Sequence, residues 1–174
     1  MPDLGWKPEL GKARQPLKVQ GSPWQASATI MVNATLLKFG YPHTLLHEGE
    51  HWALLARPAQ VTLGSLVLCS TSDAHSYADL PVAAFVEQEQ LVKLADRILR
   101  EFVQPEKVNY LMLMMVDPHV HFHIIPRYSQ PREREGVSFP DSGWPGLPDL
   151  GTTSPLLEPI LAALKGLAES SVAY

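Results

Sequence analysis

Residues 119–127 read His119-Val120-His121-Phe122-His123-Ile124-Ile125-Pro126-Arg127, and this stretch decides how the rest of the chain is organised. Successive side chains of a strand point to opposite faces, so the three imidazoles share one face while Val120, Phe122 and Ile124 share the other. The apolar set can enter a core, and the histidines collect on one side of a sheet. Three kinds of role suit such an array. A solvated sheet face tolerates His as a polar residue compatible with a strand. Alternating imidazoles can place two ligands on one zinc ion. A third on the same flat strand lies roughly 7 Å from the first, hard to bring within about 2 Å of that ion. A neutral imidazole with one nitrogen held protonated by a partner is a nucleophile through the other, and attack on phosphorus suits it because phosphorylated imidazole is hydrolysed readily in a second step.

Working outward, the Val-, Tyr-, Leu- and Met-rich run Lys107–Val116 reads as a strand, followed across Asp117-Pro118 by the strand Val120–Tyr128. Ahead of them Pro81 opens a helix over Val82–Val103, with Phe85, Leu91, Leu94, Ala95, Ile98, Leu99 and Phe102 on one stripe. Glu87 and Glu89 precede Lys93, Arg97 and Arg100, the order that the helix dipole favours. Thr44–Glu48 and His51–Ala56 flank Glu48-Gly49-Glu50 as a hairpin, and Val61–Cys69 has the Val and Leu content of a buried strand. Upstream, Ser22-Pro23 reads as an N-cap with proline at the first helical position, giving a helix over Trp24–Phe39 that stops at Gly40. Downstream, Ser129–Pro155 holds five prolines and four glycines and reads as an irregular surface segment before a short helix near 155–170. Strands broken by one amphipathic helix predict an α+β domain with a five-stranded antiparallel sheet, not a doubly wound one. Three parts follow: an N-terminal arm and helix over 1–43, a central catalytic domain over 44–128, and a Pro/Gly-rich tail with a short helix over 129–174. Open sheet edges need cover, which two sheets joined across a homodimer would provide.

The 174 residues suit one domain, and 45% hydrophobic against 18% charged residues excludes a disordered chain. A formal charge of -4 argues against non-specific nucleic-acid binding, which needs a basic face. No apolar run approaches the roughly 18 residues of a membrane span. Cys69, the single cysteine, cannot form an internal disulfide, and Met1-Pro2-Asp3 does not begin a secretory signal, so cytoplasmic residence is expected. The 16 prolines fall in the two arms and at element ends.

Other candidates carry less chemistry. His43, His47 and His51 recur every four residues, but Pro42, Gly49 and strand-like flanks oppose the helix that would align them on a metal, leaving solvated hairpin histidines. His75, in the loop after the middle strand, can approach a substrate or is simply exposed. Cys69 reads as a small buried residue, and Met112, Met114 and Met115 as core filler. Trp144 can anchor the tail or stack on a base.

Residues His119 to Arg127 resemble the motif of the histidine-triad (HIT) family, alternating His and apolar residues followed by Pro-Arg. The order of hairpin, strand, long helix, strand and triad strand over about 45–128 is similar to the HIT domain as a whole. Its closest flavour is the diadenosine-polyphosphate-hydrolase-like branch. The resemblance implies a homodimer and a nucleotidyl hydrolase or transferase acting on a nucleoside polyphosphate or phosphoramidate. It assigns attack on the α-phosphorus to His121, orientation of that nucleophile to His119, partly through its carbonyl, and contact with the phosphate to His123. It implies no cofactor beyond magnesium accompanying the nucleotide, and no resident metal. Two departures stand out. The family's Gly-His pair before the middle strand is Gly64-Ser65 here, which makes Ser65 a candidate phosphate donor. Its Gly- and Gln-containing phosphate stretch reads Met112-Leu113-Met114-Met115-Val116-Asp117-Pro118, and Arg57 falls where a ribose-binding Asp or Asn is usual, so Arg57 becomes a candidate phosphate partner. These departures keep open a catalytically weak nucleotide-binding or regulatory protein, with a metal-dependent hydrolase as a further alternative.

Overall fold

A computed structural model describes residues 32–172. In chain order it holds α1 (Ala34–Lys38), β1 (Leu45–Glu48), β2 (Trp52–Ala56), β3 (Ala59–Gln60), β4 (Leu66–Ser70), a 3-10 turn at Tyr77–Asp79 and α2 (Val82–Phe102). Then come β5 (Lys107–Leu111), β6 (His121–Arg127), β7 (Arg132–Arg134), β8 (Val137–Phe139), β9 (Ser154–Pro155) and α3 (Glu158–Val172). Five strands form an antiparallel sheet in the order β1-β2-β4-β6-β5, the α+β architecture expected.

Strand alternation sorts the core into two sides. Trp52, Leu54, Leu66, Leu68, Val120 and Ile124 face α2 and α3, where Leu91, Ile98, Leu99, Ile160 and Leu164 complete a dry cluster. Ala53, Leu55, Val67 and Cys69 face the other way and pack with Leu36 and Phe39 of the α1 segment. At the β1–β2 turn the Glu87 carboxylate accepts the backbone N–H groups of His51 and Trp52, fastening α2 to the hairpin.

Several elements differ from the sequence reading. The helix expected over Trp24–Phe39 has its described part only at Ala34–Lys38: Asn33 is its N-cap, taking the Leu36 N–H on Oδ1 at 3.0 Å, and Val32 is not helical. Residues 24–31 of that expectation lie outside the described residues. The helix stops, as expected, at Gly40, with φ at +87°. The strand expected at Val61–Cys69 starts only at Leu66, because Thr62–Ser65 is a turn. Gly64 sits there at φ +87°, and a Cβ on it would come within 3.2 Å of Leu99 on α2, so both the turn and the close helix approach need glycine.

The strand expected over Lys107–Val116 ends at Leu111, opposite His123. Just before β6, Val120 donates to the Ala74 carbonyl and accepts from Ser70, both on the β4 side, so no strand runs beside residues 112–116. Met112 and Met115 are exposed as a result, with Leu113 and Val116, and of the methionines expected as core filler Met114 packs against the core. Downstream of β6 the chain is built into the domain. β9 pairs with β3, β7 with β8, and α3 places Ile160, Leu161, Leu164 and Ala168 in the main core. Asp141 and Gly146 hold Arg127 of β6, a contact described below. Among the described residues no helix is long and apolar enough to cross a membrane.

Candidate active site

β6 carries His121 and His123 towards α1. His121 is fully buried and His123 is 7% exposed, their rings 5.0 Å apart at 87°, with Phe39 at 5.5 Å and 5.6 Å from the two centroids. Cys69 and Val67 of β4 lie opposite them in register, and burial pushes the Cys69 thiol well above its ordinary range, so it stays a protonated filler.

His119 lies two residues before β6 begins at His121. The sequence reading puts three imidazoles on one regular strand; only His121 and His123 are in β6, while His119 sits at the bend that precedes it. It still reaches the α1 side, with Nδ1 2.9 Å from the Thr35 hydroxyl. Its Nε2 is 3.9 Å from the Asp73 carboxylate, and the His75 ring meets it edge-on at 5.0 Å. His75 therefore adjoins the triad through His119.

The backbone of that bend sets the chemistry. His121 Nδ1 lies 2.8 Å from the His119 carbonyl oxygen. A carbonyl only accepts, so Nδ1 carries a hydrogen, and in the neutral ring Nε2 is the nitrogen with the lone pair. His121 Nε2 and His123 Nδ1 are buried with no hydrogen-bond partner among the described residues. Unpaired buried polar atoms are rare in folded proteins and call for a partner. Burial first, then the neighbouring His121, Arg57 and Lys38, against the opposing pull of Asp117, push the His123 pKa down to about 4. Both imidazoles of β6 thus face the site without charge at neutral pH in the case of His123, and with a defined tautomer in the case of His121.

The two other sequence candidates fare differently. Arg57 follows β2 on the triad side of the sheet, donating its backbone N–H to the Ser65 carbonyl at 2.9 Å. One guanidinium nitrogen bonds the Ala59 carbonyl, and Nε is buried without a partner among the described residues. Burial lowers its pKa and nearby Asp117 opposes that. Ser65 does not point its hydroxyl at the triad. It is fully buried, donates to the Thr62 carbonyl at 2.8 Å and accepts the Thr62 N–H at 3.1 Å. Its one hydrogen is spent inside the turn, leaving none for a phosphate oxygen.

Four residues of the site escaped the sequence reading: Asn33, Thr35, Lys38 and Asp117. Asn33 Nδ2 donates to the Ser70 and Ser72 carbonyls, each at 3.0 Å, tying α1 to the loop after β4. Lys38 Nζ meets Asp117 at 2.6 Å, joining α1 to the segment before the triad. The usable signal was the N-cap pattern Asn33-Ala34-Thr35-Leu36, hidden because the longer helix absorbed it. Among the described residues no group of three His, Cys, Asp or Glu side chains is placed to hold a metal ion, His43, His47 and His51 included. His43 instead pairs with Glu158 of α3 at 3.0 Å.

No family model matches the chain, and no curated protein matches it. Among solved structures it is similar to a histidine triad (HIT) protein of Sinorhizobium meliloti, with TM-score 0.63 and 19% identity over 82% of this chain and 97% of that one. A histidine triad protein of Bradyrhizobium japonicum gives TM-score 0.59 and 19% identity, over 79% and 96% of the two chains. A hypothetical histidine triad nucleotide-binding protein of Sulfolobus tokodaii gives 0.55 and 19%, over 80% and 89%. The chain has the histidine-triad fold.

Proposed function

We propose that the protein is a nucleotidyl hydrolase or transferase that acts on a nucleoside polyphosphate or phosphoramidate through a covalent intermediate on His121. The observation that carries this reading is the 2.8 Å bond from His121 Nδ1 to the His119 carbonyl, which leaves Nε2 as an unpaired, buried lone pair. In the first step Nε2 attacks the α-phosphorus, a P–N bond forms, and the bond to the bridging oxygen or nitrogen breaks with its electron pair going to the leaving group. In the second, water attacks the same phosphorus and gives its proton to His123, which has by then passed its own to the leaving group, and the P–N bond breaks with its electron pair returning to Nε2, so that His121 leaves as a neutral imidazole. His123, uncharged before substrate arrives, gains a tendency to hold a proton once a phosphate anion lies against it, and can then pass that proton to the leaving atom. Arg57 supplies a fixed positive charge on the same face.

Magnesium, where needed, would travel with the nucleotide. A homodimer and cytoplasmic residence remain part of the reading. Its support for a dimer is that β5 is an edge strand among the described residues, with exposed Tyr110, Met112 and Leu113 beside it. The cations on the triad face support the diadenosine-polyphosphate-hydrolase-like branch. One observation favours the second reading, a nucleotide-binding protein without useful turnover: the Ser65 hydroxyl, where the family has an imidazole, is committed to its own turn.

The test is turnover of wild type and His121→Asn on a panel of adenosine polyphosphates and adenosine phosphoramidates. Asn keeps a polar group of similar reach but has no nucleophilic nitrogen, so activity should vanish with the fold intact. Hydrolysis retained by His121→Asn refutes the assignment, and micromolar nucleotide binding by a wild type that turns over none of the panel selects the second reading.

A further inference from the structure

Lys38 is not explained by the chemistry at His121. It is the last residue of α1, next to Phe39, whose ring stands over His121 and His123, and its ammonium group meets Asp117 at 2.6 Å. The side chain of Lys38 is half-exposed, whereas that of Asp117 is largely covered. An ion pair to a half-exposed lysine competes with water and is worth little. Lys38 can therefore leave Asp117 at small cost.

Three buried nitrogens wait on the same face without a partner among the described residues: His121 Nε2, His123 Nδ1 and Arg57 Nε. Lys38 and Asp117 are paired at 2.6 Å, and the fields of both, with that of Arg57, reach His123. When Lys38 turns away, Asp117 stays in the field of Arg57 and keeps a counter-charge. Arg57, Lys38 and Asp117 together carry one net positive charge, and half-exposed Lys38 is the cation among them free to reach an anionic group beyond the phosphate held at His121.

We infer that Lys38 is a specificity-determining residue that exchanges Asp117 for the phosphate next to the transferred one. This rests on the reading of His121 as the nucleotidyl acceptor, since that fixes which phosphate is transferred. Asp117 is then the resting partner that holds Lys38 at the mouth of the site and competes with weakly charged ligands.

The experiment is calorimetric titration of the full chain with adenosine monophosphate and with the α,β-methylene analogue of adenosine diphosphate, whose bridging carbon prevents turnover. Wild type should bind the diphosphate analogue about tenfold more tightly than the monophosphate, the range of a charge-assisted hydrogen bond. Lys38→Met should erase that preference while leaving monophosphate affinity within about twofold, and Asp117→Asn should enlarge it. Equal affinities in wild type, or equal losses for both ligands in Lys38→Met, overturn the inference. A phosphate preference in a protein with no turnover would leave it standing and remove only the catalytic reading. Turnover without the preference would do the reverse.

Discussion

The ring of His121 donates from Nδ1 to the carbonyl oxygen of His119, 2.8 Å away and two residues earlier in the chain. This bond exists because Val120 is pulled towards β4 by Ser70 and Ala74, bending the backbone just before β6 so that the His119 carbonyl turns under the next imidazole on that face. The backbone, not a carboxylate, fixes the tautomer. The side chain of His119 is free for a different task, and it is held by Thr35 on α1.

From this division of labour, Thr35→Val and His119→Ala should behave differently from His121→Asn. Both leave the carbonyl in place, so both should retain measurable turnover, reduced by about tenfold to hundredfold through loss of positioning. The split should fall in kcat more than in KM for Thr35→Val, because Thr35 holds the His119 ring, while His121, His123 and Arg57 are untouched. Steady-state kinetics check it, and a Thr35→Val enzyme as inactive as His121→Asn contradicts it.

His123 makes stability depend on pH. Its pKa is about 4 in the folded protein, lowered first by burial and then by the fields of His121, Arg57 and Lys38 against the opposing field of Asp117, compared with about 6.5 in an unfolded chain. The unfolded state therefore binds the extra proton first, and stability rises with pH between those values. Lowering the pH from 7 to 4.5 should lower the urea midpoint of the wild type, and His123→Asn should show a shallower fall over that window. Identical slopes would show that His123 is not held neutral by the fold.

Arg127 and Asp141 form the covered ion pair that fastens the segment after β8 to the sheet, bonded at 2.6 Å and 3.1 Å with both side chains almost wholly buried. Asn109 Oδ1 at 2.6 Å and the Gly146 carbonyl at 3.0 Å take further guanidinium hydrogens. Removing one partner strands a buried charge, so Arg127→Met and Asp141→Asn should each cost about 3 to 5 kcal/mol by denaturant unfolding. The double variant should cost clearly less than the sum, because neither charge is then left alone.

Ser65→Ala discriminates between two roles for one hydroxyl. The turn geometry gives a loss of about 1 to 2 kcal/mol in unfolding free energy with kcat/KM within about threefold of wild type. A hydroxyl that bound substrate phosphate would show the opposite pattern, unchanged stability with a raised KM.

What the sequence made legible follows from periodicity. Alternation at Val120, Phe122 and Ile124 against His121 and His123, and the stripe from Leu91 to Leu99, have the periods of a strand and a helix, and both sides of the sheet follow from them. The ends of elements were less legible. Val61 to Leu63 look like a strand by composition, but the turn at Gly64 and the seating of α2 decide otherwise. Met112 to Val116 have the apolar content of a strand, yet the bend at Val120 removes the neighbour that would pair with them. The cover over the triad was illegible for a different reason. A five-residue helix has too few turns to show a stripe, and Asn33, Thr35 and Lys38 reach the site through contacts 37 to 84 residues away in sequence for the first two and through Asp117 for the third. The buried Arg127–Asp141 pair is equally non-local, joining two residues that read separately as a motif end and a loop acid.

The most direct measurement of the central claim is the mass of the protein, quenched at alkaline pH during turnover of an adenosine polyphosphate or phosphoramidate, followed by peptide mapping. The expected result is a fraction of chains heavier by one adenylyl group, the addition lying on the peptide with His121 and absent from His121→Asn. Turnover that proceeds with no adduct at any time point, or an adduct that maps to another residue and survives in His121→Asn, would contradict nucleophilic attack by His121.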